Sequence, residues 1–342
     1  MGKILTVVIP SYNVEKYLEQ TLESFADETV LDDIEVLVVD DGSKDRTAEI
    51  GKQFEEKYPG SYRVISKENG GHGSTINRGI EEGQGKYFKV VDGDDWVNTK
   101  DFCTLVANLK NCDADYVVTN YFEVNDVTGE KTEKNFPQLL EKDAGQGEYW
   151  QFAQVAEKTQ LPMHALVIRT NILKENKIRL DEHCFYVDVE YILYPLPYVE
   201  TVAYFDLYVY MYRLALQTQS VSIQGYQKHI QNHIDVIMHL SEFAMKYRKT
   251  IQDKDQAKLA YIEKRLAQMV GDQISIFMSY SVKDQDVKKK FMDFDAELKR
   301  VNPYIYDLSN EESGTLKLLR KVNFKGYEML MKSGQKRNGI EG

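Results

Sequence analysis

Apolar and polar positions follow two different periods along the first hundred residues. Residues 4–10 (ILTVVIP) and 34–40 (IEVLVVD) are nearly unbroken apolar runs; 62–66 (YRVIS) and 86–92 (KYFKVVD) are shorter relatives of them. Runs of this length, rich in Val and Ile, match strands buried on both faces. After the first run, Val14, Leu18, Leu22 and Phe25 recur at helical spacing, and helices are predicted again over about 45–57 and 73–82. Buried strands alternating with helices imply an α/β fold, a mostly parallel twisted sheet joined by right-handed crossovers.

The pattern changes after Asp113. Residues 113–124 and 129–136 predict a partly antiparallel excursion, and 201–213 (TVAYFDLYVYMYR) predicts a further strand pair. Beyond Ser222 the strand signal stops. Helices are predicted from about Gln224 to Met331, broken near Gln252–Asp253, Ser281 and Pro303. The expected division is therefore a sheet domain over 1–222, with halves of about 1–98 and 99–222, and a helical region over 223–342. No internal repeat or low-complexity segment interrupts it.

Composition narrows the function. The chain has 342 residues, 42% of them hydrophobic, enough for a full core. A net charge of -11 argues against a nucleic-acid partner, which calls for a broad basic surface. Three cysteines without a CxxC pair suit a reducing, cytoplasmic setting better than a disulfide framework. The start reads as a first strand rather than a signal peptide, because Pro10 and polar residues follow the apolar run. No apolar stretch approaches the roughly 20 residues that span a bilayer. From Ser313 onward, however, seven Lys or Arg stand against two Glu.

Ligands of open parallel sheets bind beyond the carboxyl ends of the strands, and four polar clusters fall at such ends: 10–13 (PSYN), 40–45 (DDGSKD), 68–79 (ENGGHGSTINRG) and 92–95 (DGDD). Asp40, Asp41 and Ser43 could simply cap the next helix, although two adjacent aspartates exceed what a cap needs. The glycine-rich stretch could be a loose turn, or could let an anion approach backbone amides. It is neither a Walker loop nor GxGxxG. The last cluster says most. Asp92, Asp94 and Asp95 set like charges side by side, which costs free energy unless a cation or strong donors sit among them. A divalent ion, Mn2+ or Mg2+, bridging carboxylates to substrate phosphates accounts for it most simply.

Together, these stretches and "FYVDVEYIL" (185–193) resemble the family 2 glycosyltransferases, sugar-nucleotide-dependent enzymes of the GT-A fold. The resemblance covers about residues 3–222. It implies that Pro10, Tyr12, Asn13 and Glu15 line the base and ribose side of a nucleotide donor, most commonly UDP-linked. By the same resemblance Asp41, with Asp40 beside it, meets the nucleobase; Asn69, Gly70 and Asn77-Arg78-Gly79 lie near the donor. Asp92 and Gly93 face the ribose or metal, Asp94 holds the metal under the diphosphate, and Asp95 lies near the transferred sugar.

The family's catalytic base corresponds to Asp188, with Glu190 as fallback; Val187 stands where the family commonly has Glu. Arg213 and residues 219–222 (QSVS) resemble the stretch that closes the donor site. His72 belongs to the glycine-rich loop, and His164 reads as a hydrogen-bonded core histidine or, alternatively, an acceptor or metal contact. The implied activity is inverting transfer of a sugar to an acceptor hydroxyl on a saccharide or lipid-linked saccharide, in exported or cell-envelope polysaccharide synthesis. A catalytically silent sugar-nucleotide-binding scaffold and a metal-dependent nucleotidyltransferase are the alternatives. In the tail, Leu316, Leu319, Tyr327 and Leu330 share a helical face ringed by basic residues. It suits either an anionic membrane surface, through 313–332, or packing on the catalytic domain, the reading preferred here.

Overall fold

The structure is a computed structural model that describes residues 2–214 and 223–337. The chain divides into two compact units, Met1–Leu216 and Gln217–Gly342. The first begins β1 (Leu5–Ser11), α1 (Leu18–Glu23), β2 (Ile34–Asp40), α2 (Thr47–Lys57), β3 (Tyr62–Ser66), α3 (His72–Glu82) and β4 (Tyr87–Val90). It continues with β5 (Trp96–Val97), α4 (Thr99–Asn111), β6 (Tyr116–Asn125), β7 (Lys131–Lys134), β8 (Trp150–Gln151) and α5 (Phe152–Lys158). It closes with β9 (Leu166–Arg169), α6 (Thr170–Glu175), α7 (Asp188–Leu193) and β10 (Thr201–Leu214).

All the strands join one sheet, whose path runs β3-β2-β1-β4-β9-β6-β10-β5, with β7 paired to β6 and β8 to β10. The β3-β2-β1-β4 portion is parallel throughout, as buried apolar runs require. Every residue of β1 and β2 is buried, between helices that contribute Leu18, Leu22, Phe102 and Leu105 to the core. Register brings the strand ends into line, with Ser11 opposite Asp40 and Asp40 opposite Ser66. The polar clusters therefore emerge along one edge.

Beyond β4 the sheet becomes mixed: β9 runs antiparallel to both β4 and β6, whereas β6 and β10 are parallel. Residues 201–214 form one strand of 14 residues, not the expected pair. Register shifts between Phe205 and Tyr210 absorb the break in alternation at Asp206 and Leu207 without ending the strand. The first helix is also shorter than its apolar period suggests. The amides of Val14 and Glu15 are taken by Thr47 Oγ1 (2.9 Å) and Asp45 Oδ2 (3.1 Å), which hold that segment as a turn.

The second unit contains α8 (Ile223–Lys228), α9 (Ile230–Thr250), α10 (Gln256–Met278), α11 (Gln285–Val301), α12 (Pro303–Leu308), α13 (Gly314–Lys321) and α14 (Tyr327–Arg337). Asp284 caps α11, and Asn302 caps α12 with Pro303 in its first turn. Phe277 and Phe291 stack at 4.6 Å in its core, and Tyr327 meets the Phe291 ring edge-on at 6.2 Å. Leu316, Leu319 and Tyr327 are buried. The tail face considered for a lipid surface thus points largely inward. Among the described residues no helix is long and apolar enough to cross a membrane.

Candidate active site

The chain reverses direction after β1 at Asn13, whose φ of 53° lies in the left-handed region that Asn tolerates. The segment is tied to the loop after β2. Asn13 N–H donates to Ser43 Oγ (3.0 Å), Lys44 N–H donates to Asn13 Oδ1 (2.8 Å), and Arg46 N–H donates to Glu15 Oε2 (2.9 Å). Asn13 and Glu15 therefore brace one site loop against another. Pro10 is buried, and Tyr12 stands exposed at the rim.

Asp40 accepts from Ser43 N–H (3.0 Å), a local turn bond. Asp41 is buried and already well occupied. Its Oδ1 accepts from Lys67 Nζ (2.6 Å) and Gly70 N–H (2.9 Å), and its Oδ2 from Gly71 N–H (2.8 Å). Asn69 Nδ2 donates to the Asp41 carbonyl (3.0 Å). One carboxylate thus folds the whole glycine-rich loop, which explains why a second aspartate follows Asp40.

At the far end of that loop, Gly73 must be glycine: a Cβ there would lie 2.1 Å from the Asp181 carbonyl oxygen. The close approach brings residues 180–183 onto α3. Asn77 clamps them, donating from Nδ2 to Leu180 O (2.9 Å) and accepting Leu180 N–H at Oδ1 (2.8 Å). His183 N–H donates to Gly70 O (2.5 Å). Asn77 is therefore not on the open edge with the strand-end clusters; it fixes the loop leading to Asp188.

Gly93 sits against the end of β1, donating N–H to Pro10 O (3.1 Å), and a Cβ would come within 2.9 Å of that oxygen. The three carboxylates around it are treated very differently. Asp95 is buried, accepting from Tyr210 OH (2.6 Å) and Arg213 N–H (2.7 Å); burial and the charges of Asp94 and Asp92 push its carboxyl well above the ordinary range. Burial, with Asp92 beside it, pushes Asp94 up to about 6. Asp92 Oδ1 lies 2.7 Å from His72 Nε2. Desolvation opposes charge on both partners, but each outweighs it for the other: His72 is held above its ordinary pKa and Asp92 below.

Arg213, near the end of β10, organises this acidic corner. Its Nε donates to Asp94 O (2.6 Å) and one terminal nitrogen to Gln20 Oε1 (2.8 Å), while the other pairs with Asp126. The guanidinium lies between the rings of Tyr17 and Trp96, 4.9 and 4.6 Å from their centroids. Residues 219–222, expected to close the site, lie outside the described residues.

Asp188 opens α7 and is partly exposed. Its charge acts on His72, His164 and Tyr212, the same groups that feel Asp92, so it lies near that acidic corner. Glu190 differs. It is fully buried, accepts Asp181 N–H (2.8 Å), and burial raises its carboxyl to about 8. Val187 is buried as well. His164 stacks on Tyr212 at 4.0 Å, and desolvation lowers its pKa, favouring the neutral ring.

Among the described residues, Asp92, Asp95 and His164 each offer one ligand atom, all within 4.8 Å of one another. Two carboxylates and an imidazole fit Mn2+ better than Mg2+, which prefers oxygen. Asp94, expected as the principal ligand, lies outside this group.

Sequence reasoning missed Lys89, a lysine with no exposed surface in β4. Its Nζ donates to the carbonyls of His164 (2.9 Å) and Leu166 (3.3 Å), so it braces the segment carrying His164. The signal was a lone cation inside an apolar run. Burial lowers its pKa to about 7 from an ordinary value of 10.5. Between those values the unfolded chain binds the extra proton. Stability at this position therefore rises with pH across the window, falls as pH is lowered from 10.5 towards 7, and levels off below 7. Relative to Lys89→Met, the parent should gain stability from about pH 7 to about pH 9.5. Urea unfolding read by tryptophan emission tests this; a pH-independent difference would contradict a desolvated amine.

Comparison with known proteins agrees with this geometry. The model of glycosyl transferase family 2 matches residues 6–170. The putative glycosyltransferase EpsH of Bacillus subtilis is 31% identical over 137 residues, a match covering 40% of this chain and only 39% of EpsH. TarS 1–349 of S. aureus, also solved with UDP, superposes with a TM-score of 0.66 at 17% identity, covering 98% of this chain and 92% of that one. The mannosyltransferase PcManGT from Pyrobaculum calidifontis, in complex with GDP-Man and Mn2+, gives 0.51 at 15% identity, covering 97% and 86%. Those two structures bear on the fold, which is that of GT-A. The match over residues 6–170, the curated relatives and the sheet built in the GT-A manner together support a family 2 glycosyltransferase.

Proposed function

We propose that the chain transfers a sugar from a nucleoside diphosphate donor, UDP-linked, to a hydroxyl of a saccharide or lipid-linked acceptor, inverting the anomeric centre. The observation that carries this reading is the nearness of Asp188 to the acidic corner at the carboxyl edge of the sheet, its charge felt by His72 and His164. Asp188 accepts the acceptor's proton as general base. Only one such group is needed, because the diphosphate leaves as an anion and requires no acid. The pocket's walls orient the donor: Tyr12 at the rim, the 40–43 and 69–71 loops on the nucleotide side, and Arg213 behind the diphosphate. Asp92, with Asp95 and His164 or with Asp94, would hold a divalent cation. That cation would supply positive charge where the leaving diphosphate gains negative charge.

Calorimetric titration of UDP, GDP and CDP, each in Mn2+ and in EDTA, tests the donor site. One nucleotide should bind in Mn2+ and at least about tenfold more weakly in EDTA, and Asp92→Asn should remove that metal-dependent gain. If none binds, the donor reading is wrong. Binding without any consumption of the matching sugar nucleotide would instead identify a silent sugar-nucleotide module, a reading to which the buried Val187 lends some support.

A further inference from the structure

His72 is not accounted for by the fold of the glycine-rich loop. That loop is held by Asp41, by Gly70 and Gly71, and by Ser74, whose hydroxyl donates to Gly71 O (2.6 Å). The His72 side chain takes no part in those bonds; its Nε2 reaches Asp92, twenty residues away in sequence and on a different strand end. We infer that His72 is a positioning residue for the candidate cation site, holding the Asp92 carboxylate in the orientation that presents it to a divalent ion. The inference rests on the cation site described above.

Three observations support it. The His72 backbone cannot follow Asp92 if the carboxylate moves. Gly71 is fixed at a φ of 84°, Gly73 abuts the Asp181 carbonyl, and Thr75 Oγ1 donates to His72 O (2.6 Å). The ring therefore acts as a fixed post. Next, the contact engages a single carboxylate oxygen of Asp92, Oδ1, so it fixes the orientation of the group without bridging both oxygens. Asp92 is also the carboxylate that groups with Asp95 and His164. Carboxylates that bind metals are commonly oriented by an outer hydrogen-bond donor, and losing that donor typically weakens metal binding about 10–100-fold. Finally, the ring is nearly a third exposed, so its removal opens no cavity in the core.

The test is Mn2+ binding by the full chain, with and without UDP, measured by calorimetry and by the free-ion EPR signal. The parent, His72→Ala and His72→Gln are compared. His72→Ala should weaken Mn2+ binding about 10–100-fold, and His72→Gln, whose amide can donate from nearly the same place, should recover most of it. The unfolding midpoints of the three metal-free proteins should coincide within a few degrees, about what a surface substitution produces. Equal or tighter binding by His72→Ala overturns the inference, since the histidine would then be idle or competing with the ion. So does failure of His72→Gln to rescue. A parent that takes up no Mn2+ overturns both this inference and the cation site itself.

Discussion

Asp188→Asn is expected to lower sugar transfer about 10²–10⁴-fold while changing nucleoside diphosphate affinity less than about twofold. The substitution keeps the size of the side chain and its place at the start of α7. It removes the ability to take a proton, together with the negative charge that His72 and His164 feel. No other carboxylate can readily replace it. Glu190, two residues on, is buried against Asp181 N–H and Tyr194, and with its carboxyl raised to about 8 it carries a proton at neutral pH. Asp95 is shut in by Tyr210 and Arg213. Steady-state turnover beside nucleotide calorimetry decides the matter. Undiminished turnover would remove Asp188 from the chemistry, and a parallel loss of nucleotide binding would make it a donor contact instead.

Arg213→Ala is expected to destabilise the sheet unit by about 3–5 kcal/mol, the usual cost of deleting one partner from a buried ionic network. The side chain is nearly buried and holds together the Asp94 carbonyl, Gln20, Asp126 and two aromatic rings. These come from three separate stretches of chain, 17–20, 94–96 and 126. Arg213→Lys keeps the charge but not the planar group that fits between Tyr17 and Trp96, and should fall between parent and alanine. Both tryptophans of the chain, Trp96 and Trp150, lie in the first unit, so urea unfolding followed by their emission reports that unit alone. An unchanged midpoint for Arg213→Ala would mean that the network adds nothing to stability.

The fold was legible where local pattern and tertiary environment coincide. Residues 34–40 form a strand over the range their apolar run marks out, because a strand buried on both faces admits no polar alternation. Residues 62–66 do the same, although that strand ends the sheet and is only partly buried. The course of β10 was less legible, since tolerance of the irregularity at 205–208 comes from its neighbour β6 rather than from its own residues. At the site, residue types at strand ends revealed where chemistry gathers. They did not reveal the division of labour. Asn13, Glu15, Asp41 and Asn77 all take backbone groups as partners, across 29 to 103 residues of sequence. A motif names a side chain but not the amide it will meet. Lys89 and the His72–Asp92 pair escaped for the same reason: their significance depends on burial and on a neighbour brought close only by folding.

The clamp between Asn77 and Leu180, with Gly70 bound to His183 and Gly73 pressed on Asp181, has a consequence for engineering. The glycine-rich stretch and the segment before Asp188 form a single interlocking part, although Asn77 and Leu180 stand 103 residues apart in sequence. A chimaera that borrows residues 68–79 from another family member to change donor preference would inherit one half of a joint and keep the other. Exchanging 180–183 in the same step preserves the fit. Under the proposed function, donor specificity and the placement of the proton acceptor would be inherited together.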